Sequence, residues 1–60
     1  MITRCLIVDD EPLAREGLIK YVQKMPGLTL VGSCQSAFEA LQYLQKEKID
    51  LLFLDIQMPD

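Results

Sequence analysis

Three apolar runs, separated by two stretches in which apolar residues recur at helical spacing, organise this sequence. The first run, Arg4 to Val8, and the third, Ile49 to Leu54, lack regular polar alternation, which is typical of strands buried on both faces. The second run, Leu28 to Val31, is weaker and is followed by Gly32, which favours an edge position. The pattern therefore predicts three β-strands.

A first helix is predicted between the first and second strands. Pro12 is tolerated in the first turn of a helix, and Asp10 or Glu11 would be the capping residue before it. The segment Met25-Pro26-Gly27 ends the helix, because a residue before proline avoids helical angles and glycine permits the reversal. The apolar face expected to be buried consists of Ala14, Leu18, Tyr21, Val22 and Met25, and the polar face of Arg15, Glu16, Lys20, Gln23 and Lys24.

A second helix is predicted between the second and third strands. Ser36 and Glu39 have the spacing of a capping box, in which the Ser36 hydroxyl accepts from the Glu39 amide and the Glu39 carboxylate accepts from the Ser36 amide. Lys46 and Lys48 fall near the negative end of this helix. Its buried face is expected to consist of Ala37, Phe38, Ala40, Leu41 and Leu44.

The resulting order, β-α-β-α-β, favours parallel strands joined by right-handed crossovers. Such strands are commonly arranged 3-2-1 or 2-1-3, and the dinucleotide-binding version of the first order has a glycine-rich turn after the first strand. Here that turn is Asp9-Asp10-Glu11-Pro12, whose carboxylates would repel a pyrophosphate. We therefore predict an α/β, flavodoxin-like sheet of order 2-1-3 with helices on both faces, in which the first and third strands are neighbours.

Composition and charge exclude several classes of function. Nine acids against six bases give a net charge of −3, and no cluster of Lys or Arg is present to contact nucleic acid. No stretch approaches the ~20 apolar residues needed to span a bilayer, so the cytoplasm is the default compartment. The absence of histidine excludes Cys-His catalysis and Cys-His zinc sites. Cys5 and Cys34 are expected roughly 10 Å apart, and we predict that both are reduced and partly buried.

The candidate chemistry lies in three carboxylates at strand ends. In the 2-1-3 order, Asp9 and Asp10 of the first strand meet Asp55 of the third. Two carboxylates ~4 Å apart repel by about 1 kcal/mol in bulk water, and a divalent cation reverses that repulsion. Mg²⁺ suits an open set of oxygen ligands, and an Asp carboxylate beside it can attack a phosphoryl group. Taken singly, Asp10 could be only a helix cap and Asp55 only a turn residue, while Asp50 and Asp60 are expected to be solvated acids.

Two strings in this chain resemble the receiver domain of two-component response regulators. They are Cys5-Leu-Ile-Val-Asp-Asp-Glu-Pro12 and Leu54-Asp-Ile-Gln-Met-Pro-Asp60, and their pairing at this separation is highly specific. The continuation of the first string, Leu13 to Leu18, resembles regulators whose output is a LytTR-type DNA-binding domain. The resemblance covers the whole chain.

This resemblance implies specific roles for the acids. Asp55 would be the phospho-acceptor, taking its phosphoryl group from a sensor histidine kinase or a small acyl phosphate. Asp10, Asp55 and the backbone carbonyl of Gln57 would coordinate Mg²⁺ directly, and Asp9 would help through water. Met58-Pro59 would shape the turn after the acceptor strand. The protein would be a phospho-accepting signalling domain rather than an enzyme.

The resemblance also implies that residues 1–60 form the N-terminal half of a receiver domain, truncated after the third strand. The Ser or Thr and the Lys with which the family holds the phosphoryl oxygens are not matched in this sequence. The third strand would have an open edge, which favours pairing with the remaining half or with a second copy. A non-catalytic half-domain, competent only for folding or self-association, is therefore the main alternative. A haloacid-dehalogenase-like phosphatase is a remote one, because that family has a second Asp where this chain has Gln57.

Overall fold

The computed structural model describes residues 1–55 and contains three parallel strands joined by two helices. In chain order the elements are β1 (Thr3–Asp9), α1 (Pro12–Lys24), β2 (Leu28–Cys34), α2 (Ala37–Lys46) and β3 (Leu51–Asp55). The strands are arranged β2-β1-β3, with β1 in the centre. The predicted order 2-1-3 is confirmed, and each predicted strand lies within two or three residues of its observed bounds.

The two faces of the central strand hold two separate cores. Cys5 and Ile7 pack with Val22 of α1, whereas Leu6 and Val8 pack with Cys34 and with Ala40 of α2. All four of these β1 residues are fully buried. Because successive side chains of a strand point to opposite faces, the two helices cover opposite faces of the sheet, as predicted.

The helix ends are formed largely as the sequence predicts. The Glu11 carboxylate caps α1 by accepting from the Leu13 amide at 2.9 Å, and Gly27 adopts a φ of +85° after the last turn. The Ser36 hydroxyl accepts from the Glu39 amide at 3.2 Å at the start of α2. The predicted return bond is wrong by one residue: the Glu39 carboxylate accepts from Gln35 at 2.9 Å, because the extended backbone of Ser36 places that amide within reach.

The predicted buried face of α1 is only partly correct. Val22 is fully buried and Leu18 packs beside it, but Tyr21 is 59% exposed, and Ala14 and Met25 are exposed as well. Ile19, absent from the predicted face, packs against the same cluster. The contact face is therefore centred on Val22, Leu18 and Ile19, which pack on Cys5 and Ile7 of β1.

The predicted buried face of α2 is wrong in more positions. Only Ala40 is buried, and Tyr43 rather than a leucine packs beside it. The physical reason is the contact with Gly32: a Cβ atom at this position would lie 2.5 Å from the Tyr43 ring. The close approach of Tyr43 turns the other apolar side chains of α2 outward, so that Ala37, Phe38, Leu41 and Leu44 are exposed.

The strand β3 is less covered than its apolar sequence suggests. Phe53 packs against the α1-side core, but Leu51, Leu52 and Leu54 are 39%, 40% and 61% exposed. Among the residues described, β3 pairs with β1 along one edge only. The expectation of an open edge on the third strand is thus confirmed for this part of the chain.

Candidate functional site

The carboxyl ends of β1 and β3 lie side by side. The register of the two strands runs from Cys5 opposite Leu51 to Asp9 opposite Asp55. Asp9 has the same parity along β1 as Cys5 and Ile7, and Asp55 has the same parity as Phe53, so both acids belong to the face covered by α1. Neighbouring strands are about 4.8 Å apart, which places the two acidic residues next to each other.

A cleft of about 410 Å³ opens at this edge of the sheet and is lined by Asp9, Asp10, Glu11, Ala14 and Asp55. The topology therefore brings the three predicted acids to one cavity. Asp10 and Asp55 are exposed, whereas Asp9 is only 1% exposed. Within residues 1–55, no group of three or more acidic or cysteine side chains is placed so that it could hold a metal ion by itself. The acids form an open cleft.

The two oxygens of the Asp9 carboxylate differ in their hydrogen bonding. Its Oδ1 accepts from the Glu11 amide at 2.9 Å. Its Oδ2 is buried and has no hydrogen-bond partner among the described residues. Leaving a buried acceptor unsatisfied costs about 1–3 kcal/mol, and more when the group is charged. This orphaned oxygen beside two further acids fits a cation, held either directly or through its water.

Sequence reasoning missed Arg15, which it assigned to the solvated face of α1. Arg15 is half-buried, and its guanidinium donates to the Asp9 carbonyl oxygen at 2.8 Å. The available signal was helical spacing, since Arg15 lies one turn after the capping residue Glu11 and so shares its side of the helix. Gln57, Met58-Pro59 and Asp60 lie outside the described residues, so their predicted roles are not addressed by the structure.

The two thiols are not candidate nucleophiles. Cys5 and Cys34 are both free, as predicted, and they are buried rather than partly buried. Burial raises the pKa of each thiol, and the charge of Asp50 adds to this for Cys5 and that of Glu39 for Cys34. A thiol with a raised pKa has little reactive thiolate near neutral pH.

A second cleft, of about 350 Å³, lies between β2 and α2 and is lined by Ser33, Cys34, Glu39, Gln42, Tyr43, Lys46 and Glu47. Its acids already have structural partners: Glu39 accepts from the Gln35 amide, and Glu47 accepts from the Arg4 side chain. The orphaned carboxylate oxygen belongs to the other cleft. The acidic cleft is therefore the candidate functional site.

A parallel sheet of order 2-1-3 with acids at the ends of its first and third strands defines an α/β fold of the flavodoxin-like kind. Residues 5–60 match the family model described as the response regulator receiver domain. The chain belongs to the response regulator receiver domain family, and the resemblance inferred from its two strings is confirmed.

Neither helix in the described part of the chain is long and apolar enough to cross a membrane.

Several curated proteins are similar to this chain. It is 54% identical over 59 residues to an uncharacterized response regulatory protein of Shewanella oneidensis, covering 98% of the chain and 25% of that relative. It is 50% identical over 56 residues to the transcriptional regulatory protein BtsR of Escherichia coli, covering 93% of the chain and 23% of BtsR. It is 51% identical over 55 residues to the sensory transduction protein LytT of Enterococcus faecalis, covering 92% of the chain and 23% of LytT. The chain thus spans about a quarter of the length of these relatives, and no solved structure matches it.

Proposed function

We propose that this chain accepts a phosphoryl group on Asp55 in a cleft that holds Mg²⁺, and that a sensor histidine kinase supplies the phosphoryl group. The observation that carries the proposal is the register pairing of Asp9 with Asp55, together with the orphaned, buried Oδ2 of Asp9. Buried polar atoms nearly always have a hydrogen-bond partner, so a buried carboxylate oxygen with none among the described residues favours a ligand at this position.

The exposed carboxylates of Asp10 and Asp55 would hold the metal directly, with the backbone carbonyl of Gln57 as a further ligand, and Asp9 would act through water. Mg²⁺ usually keeps several waters and binds through one or two carboxylates, which suits an open cleft. When bound, it supplies positive charge that offsets the charge on the transferring phosphoryl group.

Asp55 is the group that reacts in this proposal. It is exposed at the mouth of the cleft, so a phosphorylated histidine of a partner can approach it. A carboxylate oxygen of Asp55 forms a bond to phosphorus while the phosphorus–nitrogen bond of the phosphohistidine breaks, and the electron pair returns to the imidazole. Buried Asp9 cannot serve as the acceptor because it is not accessible to such a partner.

The names of the relatives support a role in two-component signalling. BtsR is named as a transcriptional regulatory protein, and LytT as a sensory transduction protein. We propose that the phosphorylated chain signals to a DNA-binding output of the LytTR type, in the cytoplasm. The described residues of the chain would not contact nucleic acid themselves.

Phosphate transfer to the chain tests this proposal. The chain is incubated with acetyl phosphate and Mg²⁺, and covalent addition is measured by intact mass, with Asp55→Asn as the test variant and Asp50→Asn as the matched control. We expect a low yield of Mg²⁺-dependent addition that is lost in Asp55→Asn and kept in Asp50→Asn. We expect a low yield because the described lining of the cleft contains no Ser, Thr or Lys side chain that would stabilise the transferring phosphoryl group. Addition that persists in Asp55→Asn contradicts the proposal.

A specific observation also favours the second candidate, a half-domain that only folds and self-associates. Leu54 is 61% exposed on β3, next to Leu52 at 40%. Exposed apolar side chains on an unpaired strand edge favour association with another chain. Sedimentation velocity of the chain and of Leu54→Lys separates the candidates. A concentration-dependent dimer that Leu54→Lys dissociates, combined with no binding of Mg²⁺, favours the half-domain.

A further inference from the structure

We infer that Arg15 is a positioning residue for the acidic cleft, which it shapes by fixing the Asp9 carbonyl at the turn between β1 and α1. The inference rests on the proposed function in so far as it concerns Mg²⁺. Asp9, whose carboxyl group lines the acidic cleft, has its carbonyl oxygen bound by the Arg15 guanidinium at 2.8 Å. In the described part of the chain this guanidinium donates to a backbone oxygen and to no carboxylate. The acids therefore remain free for another cation.

The hydrogen bond from Arg15 is one of four hydrogen bonds that connect the end of β1 to the first turn of α1. The Glu11 amide donates to the Asp9 carboxylate at 2.9 Å, and the Glu11 carboxylate accepts from the Leu13 amide at 2.9 Å. The Arg15 amide then donates to the Glu11 carbonyl at 2.9 Å. Arg15 closes this set by returning its side chain to the Asp9 carbonyl.

Fixing the Asp9 carbonyl also fixes the peptide that joins Asp9 to Asp10. The orientation of this peptide decides whether the Asp10 side chain faces the cleft or solvent, because Asp10 lies outside both β1 and α1. Asp10 is exposed and, among the residues described, its side chain is in no hydrogen bond that would hold it independently. Arg15 thus acts on the cleft through the backbone, and not by touching the metal or the phosphoryl group.

If Arg15 acted only through its charge, or only by positioning the turn, its removal would change the affinity for Mg²⁺ in opposite directions. A positive charge near a cation site repels the cation, so electrostatics alone predicts that Arg15→Met tightens Mg²⁺ binding. Loss of positioning predicts weaker binding, since removing a group that orients a metal ligand typically reduces affinity about 10- to 100-fold. The sign of the change therefore separates the two roles.

The experiment measures Mg²⁺ affinity by calorimetry and amide exchange by nuclear magnetic resonance in the 60-residue chain. Arg15→Met removes both the charge and the donor, and Arg15→Lys keeps both with a shorter reach. Lys24→Met is the matched control, because it removes an exposed cation from the last turn of the same helix. We expect Arg15→Met to weaken Mg²⁺ binding about 10-fold, Arg15→Lys to weaken it less but measurably, and Lys24→Met to leave binding unchanged or slightly tighter.

Amide exchange measured without Mg²⁺ tests, independently of the metal, whether Arg15 holds the turn between β1 and α1. We expect the Glu11 amide to exchange roughly five-fold faster in Arg15→Met, because the turn that protects it loosens. Unchanged exchange with equal or tighter Mg²⁺ binding overturns the inference. If the native chain binds no Mg²⁺, the proposed function fails, and the exchange rate alone decides whether Arg15 holds the turn. If Arg15→Met does not fold, intermediate losses in Arg15→Lys support the inference and native values overturn it.

Discussion

Arg4 and Asp50 are joined by two reciprocal hydrogen bonds at the end of the sheet opposite the acidic cleft. The Arg4 amide donates to the Asp50 carboxylate at 2.9 Å, and the Asp50 amide donates to the Arg4 carbonyl at 2.8 Å. The Arg4 guanidinium adds bonds to the Lys48 carbonyl at 2.7 Å and to the Glu47 carboxylate at 3.0 Å. Asp50 is an exposed loop acid, as predicted, and it also accepts a hydrogen bond from the Arg4 amide.

This pairing predicts that Asp50 stabilises the start of β3. Asp50→Ala removes the acceptor of the Arg4 amide, and we expect the free energy of unfolding to fall by about 1 kcal/mol. Glu47→Ala removes only the half-exposed ion pair in which the Arg4 guanidinium lies 3.0 Å from the Glu47 carboxylate. This change should lower the free energy of unfolding by less, about 0–1 kcal/mol. Urea unfolding followed by circular dichroism measures both changes. A larger loss for Glu47→Ala than for Asp50→Ala would show that the ion pair, and not the backbone bond, holds this end.

Alanine substitutions at Gly32 and at Gly17 are expected to change the unfolding free energy in opposite directions. Gly32→Ala places a Cβ atom 2.5 Å from the Tyr43 ring, and we expect a loss of about 1–3 kcal/mol in unfolding free energy because the ring must move away from the sheet. Gly17→Ala in α1 meets nothing within 4 Å and should stabilise the chain by about 0.5–1 kcal/mol.

Thermal or urea unfolding of both glycine variants checks the prediction. Combining Gly32→Ala with Tyr43→Ala tests its cause. If the Tyr43 ring is the obstacle, the double variant is less destabilised than the sum of the two single changes. Strict additivity would instead assign the loss at Gly32 to the backbone of β2.

Local signals were sufficient to predict the elements and their order. Strand runs, the proline in the first turn of α1 and the Ser36 cap depend on residues close in sequence, and the structure confirms each of them. The order β2-β1-β3 followed from chemistry at a single turn, because Asp9-Asp10-Glu11-Pro12 has no glycine for a pyrophosphate. That choice of order also placed Asp9 beside Asp55, which the register confirms.

Helix faces and long-range polar contacts could not be predicted in the same way. Apolar spacing identifies several candidate faces of α2, but the contact of Tyr43 with Gly32 selects one of them, and this contact depends on where the helix meets the sheet. The bond between Arg4 and Asp50 joins residues 46 positions apart. Arg15 was missed because a charged residue on a helix is usually solvated. Its spacing places it on the same side of α1 as Glu11, but the bond to the Asp9 carbonyl also depends on the turn between β1 and α1.

The buried thiols predict a pH dependence at alkaline pH. Burial raises the folded-state pKa of Cys5 and of Cys34 above the value of the unfolded chain. Each thiol therefore contributes stability that is fully present below the unfolded pKa, about 8.5, and that is lost as pH rises through the folded value. We expect the unfolding free energy to decline above about pH 8.5, and Cys5→Ala/Cys34→Ala to show a smaller decline. A thiol reagent at pH 8 should label the unfolded chain faster than the folded one.

The orphaned oxygen of Asp9 predicts a crossover in stability with Mg²⁺. Asp9→Asn keeps an acceptor for the Glu11 amide but removes a buried charge that is held near Asp55, so the variant should be more stable than the native chain without metal, by about 1 kcal/mol or more. Added Mg²⁺ should stabilise the native chain by RT ln(1 + [Mg²⁺]/Kd) and the variant much less. Thermal unfolding over a Mg²⁺ series measures both trends. Glu16→Gln, an exposed acid of α1 outside the cleft, should follow the native curve. Parallel curves for the native chain and Asp9→Asn would mean that Asp9 has no part in binding the cation.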